Sequence, residues 1–380
     1  MGERRLDAVC EITMGQAPDG DSYNTVGEGL PLIAGASDFG ERHPVPQKFT
    51  TAPGKVCTSG DIILGIRATI GEKVISDGEY CLGRGVAGLR AKAGLDSRYL
   101  WHWLSHVAPV LATKARGATF KQVSREDIGE LRIDLPGIAE QRRIAGILDK
   151  TDTLRAKRRN AFAQLDTLTQ SIFLDMFGDP IENPKGWRES EFRKLCERIT
   201  VGIVVRPASY YVSAGIPALR SLNIKPGKIS LDDLVYFSRN DNDGKLSKTK
   251  LRAGDVVLVR SGQPGTAAVV PAELDGINAI DILIATPSMD LVDSTFLCVF
   301  FNSAGGRDLV LSEQRGQIQK HLNVGSLGKA EIPCPPLELQ RRFSGYIAAV
   351  ERLKVSFDAM LAEHDALFAS LQHLAFRGEL

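Results

Sequence analysis

Apolar side chains recur at alternating steps of three and four from Phe343 onward, through Tyr346, Val350, Leu353, Phe357, Met360, His364, Leu367, Leu371 and Leu374. This is the heptad seam of a long helix that packs on another helix. An equivalent stripe, with polar interruptions, runs through Ile144, Ile147, Thr151, Leu154, Arg158, Ala161, Leu165, Leu168, Ile172 and Asp175. Each stripe follows a proline, Pro136 or Pro335, that ends an extended segment and permits a helix to start. Roughly 40 residues at 1.5 Å rise make a rod of about 60 Å. The two seams are expected to face each other in an antiparallel coiled coil, with Arg158 and His364 as polar residues that fix register. The alternative, each helix packed only on its own domain, is disfavoured because helices of this length are long for that role.

The remaining pattern is of short β-branched runs broken by Gly and Pro. Gly60-Asp61-Ile62-Ile63-Leu64-Gly65-Ile66-Arg67-Ala68-Thr69-Ile70-Gly71 matches Gly254-Asp255-Val256-Val257-Leu258-Val259-Arg260-Ser261-Gly262-Gln263-Pro264-Gly265, reading as strand, glycine turn, strand in both. The match extends further. Gly117 to Phe177 returns as Gly316 to Phe376, each residue displaced by 199 positions, so that Gln141, Arg142, Arg143 meet Gln340, Arg341, Arg342. So long a period marks a duplicated domain followed by a duplicated helix rather than a solenoid. Expected boundaries are a first domain at 1–137, a helical region at 138–180, a second domain at 181–336 and a second helical region at 337–380. The fold class is α/β (α+β), with an internal pseudo-two-fold repeat.

Composition narrows the function. With 47 basic and 46 acidic side chains in 380 residues, the chain carries a formal charge of +1, and no segment departs from neutrality by more than two charges. A protein that binds DNA alone is usually more basic, because phosphate neutralisation supplies most non-specific affinity. Either DNA is not the ligand or a partner supplies charge. The six cysteines have no paired metal-ligand spacing and read as reduced thiols. No apolar run reaches a membrane span and no signal-peptide core follows Met1, so a soluble cytoplasmic protein is expected.

Catalytic signatures are missing. Gly35 to Gly40 is followed by Glu41 and not by the Lys of a phosphate loop, and no glycine fingerprint or amino-methylating Asn-Pro-Pro-Tyr motif is present. Asp243-Gly244-Lys245 lies in a polar turn without a second carboxylate strand. His102 and His106 lack the intervening Glu of a zinc hydrolase and read as helix packing. The basic run Arg155-Ala156-Lys157-Arg158-Arg159 reads as a solvated helix face, with phosphate contact as the alternative.

In order and duplication, these features resemble the specificity subunit of a type I restriction-modification system. The resemblance rests on Gly29-Leu30-Pro31-Leu32-Ile33, Tyr80-Cys81-Leu82-Gly83-Arg84-Gly85, Gly215-Ile216-Pro217-Ala218-Leu219-Arg220, Glu140-Gln141-Arg142-Arg143, Pro335-Pro336-Leu337 and Ala375-Phe376-Arg377-Gly378-Glu379-Leu380. It implies two tandem target recognition domains, each reading half of a split, asymmetric site in double-stranded DNA, separated by paired helices that set the spacer. Set against about 3.4 Å per base pair, the rod allows at most roughly 18 base pairs between domain centres. It also implies two modification subunits on the helices and added restriction subunits; S-adenosylmethionine, ATP and Mg belong to those partners, and this chain carries no cofactor and no catalytic residue.

Candidate DNA-binding residues follow from side-chain chemistry and loop position: Arg67, Lys121, Gln122, Arg220, Asn223, Arg260, Ser261, Gln263 and Lys320. Pairing of Arg67 or Arg260 with nearby acids is the competing reading. Candidate partner-binding residues are Gln141, Arg142, Arg143, Gln340, Arg341 and Arg342. One departure from the family pattern is Leu337-Glu338-Leu339 before Gln340, which shifts the acidic position matched by Glu140. Two other readings remain open: a specificity subunit whose partner carries restriction and modification on one chain, and a coiled-coil protein scaffold without a DNA role.

Overall fold

The structure is a computed structural model that describes residues 2–117, 121–312 and 322–380. Two compact units emerge, one formed by Met1–Arg159 with Ala359–Leu380 and the other by Asn160–Asp358. The long helices run Ile138–Phe177 and Leu337–Phe376, and each is divided between the two units.

In the first unit, an antiparallel sheet orders Cys10–Met14, Val86–Ala91, Ile62–Gly65 and Lys73–Ile75. A second sheet contains the parallel pair Leu30–Ile33 and Tyr80–Leu82. The β-branched run is buried on both faces: Ile62 and Leu64 enter the core beneath the helix Ser97–Thr113, while Ile63 packs with Ile33, Leu82 and Val86. That alternation is the period-2 geometry of a strand covered on both sides.

The second unit repeats the plan. Cys196–Val201, Ile282–Pro287, Val256–Val259 and Ala267–Val269 form the antiparallel sheet, and Ile216–Leu219 pairs in parallel with Asn278–Ala279. Val256 and Leu258 face the helix-covered core, while Val257 and Val259 face the other. Short ladders, Glu3–Arg5 with Arg132–Asp134 and Glu189–Glu191 with Glu331–Pro333, sit at equivalent places.

The helix pairing is antiparallel within each unit. In the first, Arg143 Nη2 donates to the Leu380 carbonyl (2.7 Å) and Arg155 Nε to Asp365 (2.6 Å). In the second, Phe173 and Phe177 meet Phe343. The seam, however, corrects half of the sequence expectation. Phe343, Val350, Phe357, His364 and Leu371 face inward as expected, but the intervening positions are Ile347, Lys354, Leu361, Phe368 and Ala375, each one residue later than predicted. Tyr346, Leu353, Met360 and Leu367 are exposed instead, Leu353 by 49 % and Leu367 by 52 %. The first helix shifts in the same way, with Leu148, Arg155 and Phe162 inward and Leu154 outward. Long basic side chains can bury their stems while solvating their heads. Thus Arg155 lies over Phe368 (4.3 Å to the ring centroid) and binds Asp365, an ion pair at a seam position that sequence reasoning had assigned to Leu154. Arg158 instead points its Nη1 at Met360 Sδ.

Among the described residues, no helix is long and apolar enough to cross a membrane. All six cysteines are free, four of them buried.

Lys73 supplies a pH signature for the first unit. Its ammonium lies 4.4 Å from the Trp101 ring centroid and donates to Ser105 Oγ at 2.5 Å. Burial pulls its pKa from the usual 10.5 down to about 8, with Asp152 opposing the fall. The folded value is lowered, so between about pH 8 and 10.5 the unfolded chain holds the extra proton and stability from this group rises with pH. Buried Cys10 and Tyr99, both raised to about 12, act in the opposite direction. The readout is therefore a difference: unfolding midpoints of the native chain minus those of Lys73→Met should rise from pH 8 to 10, and a flat difference would contradict the assignment.

Candidate functional site

The first unit opens a cleft of about 640 Å³ where the paired parallel strands Leu30–Ile33 and Tyr80–Leu82 end. Its lining includes Tyr23, Ser37, Arg67, Thr69, Glu72 and Arg84. Glycine lets the backbones converge here: a Cβ on Gly15 would collide with the Gly83 carbonyl, and one on Gly85 with the Ala34 carbonyl. Ala68 adopts φ 51°, a left-handed conformation uncommon outside glycine, at the apex of the loop carrying Arg67.

Arg67 is half-buried and donates through Nε to Gln122 Oε1 at 2.8 Å. Gln122 in turn exchanges both backbone hydrogen bonds with Arg116, at 3.0 Å each, and Val123 N donates to the Ile66 carbonyl. Arg67, Arg116, Lys121 and Gln122 therefore gather beside the cleft, with Lys121 and Gln122 exposed. Arg67 is paired, but with a neutral amide, so its positive charge is not cancelled by that contact.

The second unit builds the equivalent place differently. Leu322 N donates to the Arg260 carbonyl at 3.1 Å, as Val123 N does to Ile66, so Arg260 occupies the Ile66 position and Ser261 the Arg67 position. Arg260 Nη1 binds Asp281 at 2.8 Å, so this guanidinium is paired with a nearby acid. Ser261 is half-buried and Gln263 exposed. Arg220 donates to the Asp233 carbonyl. Asn223 must be corrected as a DNA-contact candidate: it is fully buried, its Oδ1 accepts from Arg220 N (2.9 Å), and its Nδ2 donates to the Asp232 carbonyl (2.7 Å). It caps a turn, as Asp38 does in the first unit by accepting from Ala34 N at 2.7 Å. Lys320 lies outside the described residues.

Comparison with known proteins gives the same picture. The family model for the type I restriction modification DNA specificity domain matches residues 1–162. The putative type I restriction enzyme MjaX specificity subunit of Methanocaldococcus jannaschii is 34% identical over 163 residues, spanning 43% of this chain and 38% of that protein. The type I restriction enzyme EcoBI specificity subunit of Escherichia coli is 22% identical over 416 residues, covering 99% of this chain and 85% of that one. Residues 1–162 thus match the type I DNA specificity domain, and the chain is similar over nearly its whole length to a type I specificity subunit. Its fold is that of a chain solved in a study of complex assembly and conformational transition of the type I R-M system (TM-score 0.65, 20% identity, 100% and 98% coverage). It is also that of the S subunit from M. genitalium (TM-score 0.57, 13% identity, 99% and 96% coverage).

The glutamines expected on a partner surface are inside. Gln141 and Gln340 are both fully buried. Gln141 Oε1 accepts from Asp96 N (2.8 Å) while its Nε2 donates to the carbonyls of Gly94 and Pro136 (both 2.9 Å). Gln340 repeats this, accepting from Asp293 N (2.9 Å) and donating to the Pro335 carbonyl (2.7 Å). Asp96 and Asp293 are the N-caps of Ser97–Thr113 and Ser294–Asn302, so each glutamine latches a long helix to a capping residue of its domain. The 199-residue repeat revealed that these glutamines matter, but not that they point inward. Gln141→Ala or Gln340→Ala strands a buried N–H and is expected to destabilise its own unit by about 1–3 kcal/mol. Unit-resolved hydrogen exchange in denaturant checks this; an unchanged midpoint would contradict it.

The arginines beside the latches are exposed. Arg143 forms a two-pronged pair with Glu140 (2.7 and 2.8 Å), which holds that carboxyl below its usual range, and Arg142 lies 3.6 Å from Asp96. At the equivalent places Arg341 donates to the Met289 carbonyl (3.1 Å) and Arg342 to Tyr346 Oη (3.0 Å). Leu339 stands where Glu140 does, so the second copy lacks that ion pair. His102, far from being a metal ligand, is buried against Asp149 of the long helix (2.8 Å).

Proposed function

We propose that this chain is the non-catalytic reader of its system, each domain contacting one half of a split, asymmetric site in double-stranded DNA. The observation that carries the reading is a repeated scaffold with unlike tips. The same sheets and turns place Arg67, Arg84, Lys121 and Gln122 at the first tip and the Arg260–Asp281 pair with Ser261 and Gln263 at the second. Different side chains on one frame are what reading two different sequences requires, since phosphate contacts position a protein while base contacts specify.

The arginine pairs Arg142, Arg143 and Arg341, Arg342 mark where two modification subunits dock. In the first unit Leu154 is exposed on the helices, and in the second Leu168, Leu174 and Leu353 are, adding apolar surface on the same two helices. Partners supply S-adenosylmethionine chemistry, and restriction subunits add ATP- and Mg-dependent steps. The near-neutral charge fits a reader that shares DNA binding with its partners. The experiment is mass photometry of the chain with its modification subunit, with and without host DNA fragments. One chain with two modification subunits and sequence-selective retention supports the reading; a stable chain that binds other proteins but never DNA would favour a scaffold.

A further inference from the structure

The loop Gly83-Arg84-Gly85 joins the inner strand of one sheet to the central strand of the other, between Tyr80–Leu82 and Val86–Ala91. Its glycines are buried and clamped. A Cβ on Gly83 would come within 2.9 Å of Ala34 Cα, Gly83 N donates to the Ile33 carbonyl (2.8 Å) and Gly85 N to the Ala34 carbonyl (3.0 Å), while the Gly85 carbonyl accepts from Ile66 N (2.9 Å). Between two fixed glycines stands one exposed side chain, Arg84, lining the cleft. Among the described residues, Arg84 has neither a hydrogen-bond nor an ion-pair partner. The two arginines nearby are engaged, Arg67 by Gln122 and Arg116 by Asp127 at 3.5 Å.

The second domain shows what changes at this point. Its parallel strands pair Leu219 with Ala279 as the first pairs Ile33 with Leu82, and Ile280 N donates to the Leu219 carbonyl (2.8 Å) as Gly83 N does to Ile33. The connection that follows is Ile280-Asp281, one residue shorter than Gly83-Arg84-Gly85, and its polar residue is a carboxylate. A phosphate contact serves both domains equally and would keep its positive charge. A base contact need not, because an arginine fork matches the O6 and N7 of guanine and the other half-site need hold no guanine there; in the second domain the carboxylate of Asp281 is instead held by Arg260 Nη1 at 2.8 Å.

We infer that Arg84 reads one guanine in the major groove of the first domain's half-site. This rests on the proposed reading of the chain as a DNA sequence reader and names a specificity residue within it. The mount supports the assignment: a two-pronged contact needs the guanidinium held in place, and the packed glycines fix the backbone on both sides of Arg84.

The test compares the methylation motif laid down by the assembled modification complex carrying the native chain, Arg84→Ala or Arg84→Lys. Exposure and lack of partners mean neither substitution should move the melting temperature. The expected result for both is a motif that becomes degenerate at one guanine position of one half-site, with about 10- to 100-fold lost preference there. The other half-site and the spacer stay unchanged. A loss spread evenly over all sequences, rescued by lysine and accompanied by a salt slope shallower by about one in the alanine variant, would make Arg84 a phosphate contact and overturn the inference. So would an unchanged motif, or a first half-site with no guanine. A native complex that lays down no gapped motif at all would instead defeat the reading on which this one rests.

Discussion

Asp255→Ala is expected to lower the stability of the second unit by about 3–5 kcal/mol, the usual loss when one member of a buried ion pair is removed. Asp255 has no exposed surface and accepts from Arg198 Nη2 (2.9 Å), Arg252 N (2.9 Å) and Thr286 Oγ1 (2.6 Å). Its deletion opens the turn before Val256–Val259 and removes the carboxylate that Arg198 and Thr286 share. The counterpart Asp61 binds Arg90 at 2.7 Å, but 49% of the Arg90 side chain is exposed against 23% for Arg198. Water can replace the partner of Arg90 more readily, so Asp61→Ala should cost the first unit less. Denaturant unfolding followed by hydrogen exchange in each unit measures both; equal losses in the two units would contradict the burial argument.

Phe343→Ala should cost a similar amount, about 3–5 kcal/mol for a large aromatic truncated in a packed core. The Phe343 ring is fully buried and lies 5.8 Å from Phe173 and 5.2 Å from Phe177, and Phe296 sits 4.9 Å from Phe177. Four rings thereby tie the end of one long helix and the start of the other to the domain helix Ser294–Asn302. Phe343→Leu keeps most of the volume and should cost less than about 1.5 kcal/mol. If the helices set the distance between half-sites, a complex that still assembles with the alanine variant should methylate sites with more than one spacer length. A single unchanged spacer beside a large stability loss would separate packing from spacing.

The repeat made the plan of the chain legible. The Gly-Asp turns at Gly60 and Gly254, the strands after them and the starts of both long helices all follow from local chemistry: left-handed glycine, period-2 burial and proline at the helix entry. The seam was only half legible because steps of three and four from Phe343 both land on apolar residues, Tyr346 and Ile347. Which of them turns inward depends on the opposing helix. Arg155 was hidden for a related reason, since its charge argued for solvent while its stem and the facing Asp365 favoured the seam.

The site was less legible than the fold. Arg67 and Gln122 were chosen separately, and their pairing joins residues 55 positions apart. Asn223, Gln141 and Gln340 looked available because amides suit recognition, yet each is used up by backbone groups that only the tertiary fold brings near. Arg84 was not among the candidate contacts, because Tyr80-Cys81-Leu82-Gly83-Arg84-Gly85 entered only as part of the family resemblance. Nothing local in the sequence says that the flanking glycines are packed and the arginine is not.

Selection of a split DNA sequence through two unlike domains is read out by the methylome of the native host beside a strain lacking the gene. One gapped, asymmetric, adenine-methylated motif is expected to disappear with the gene. An unchanged methylome in a host that expresses the chain with an active modification partner, or loss of a continuous palindromic motif, would contradict it.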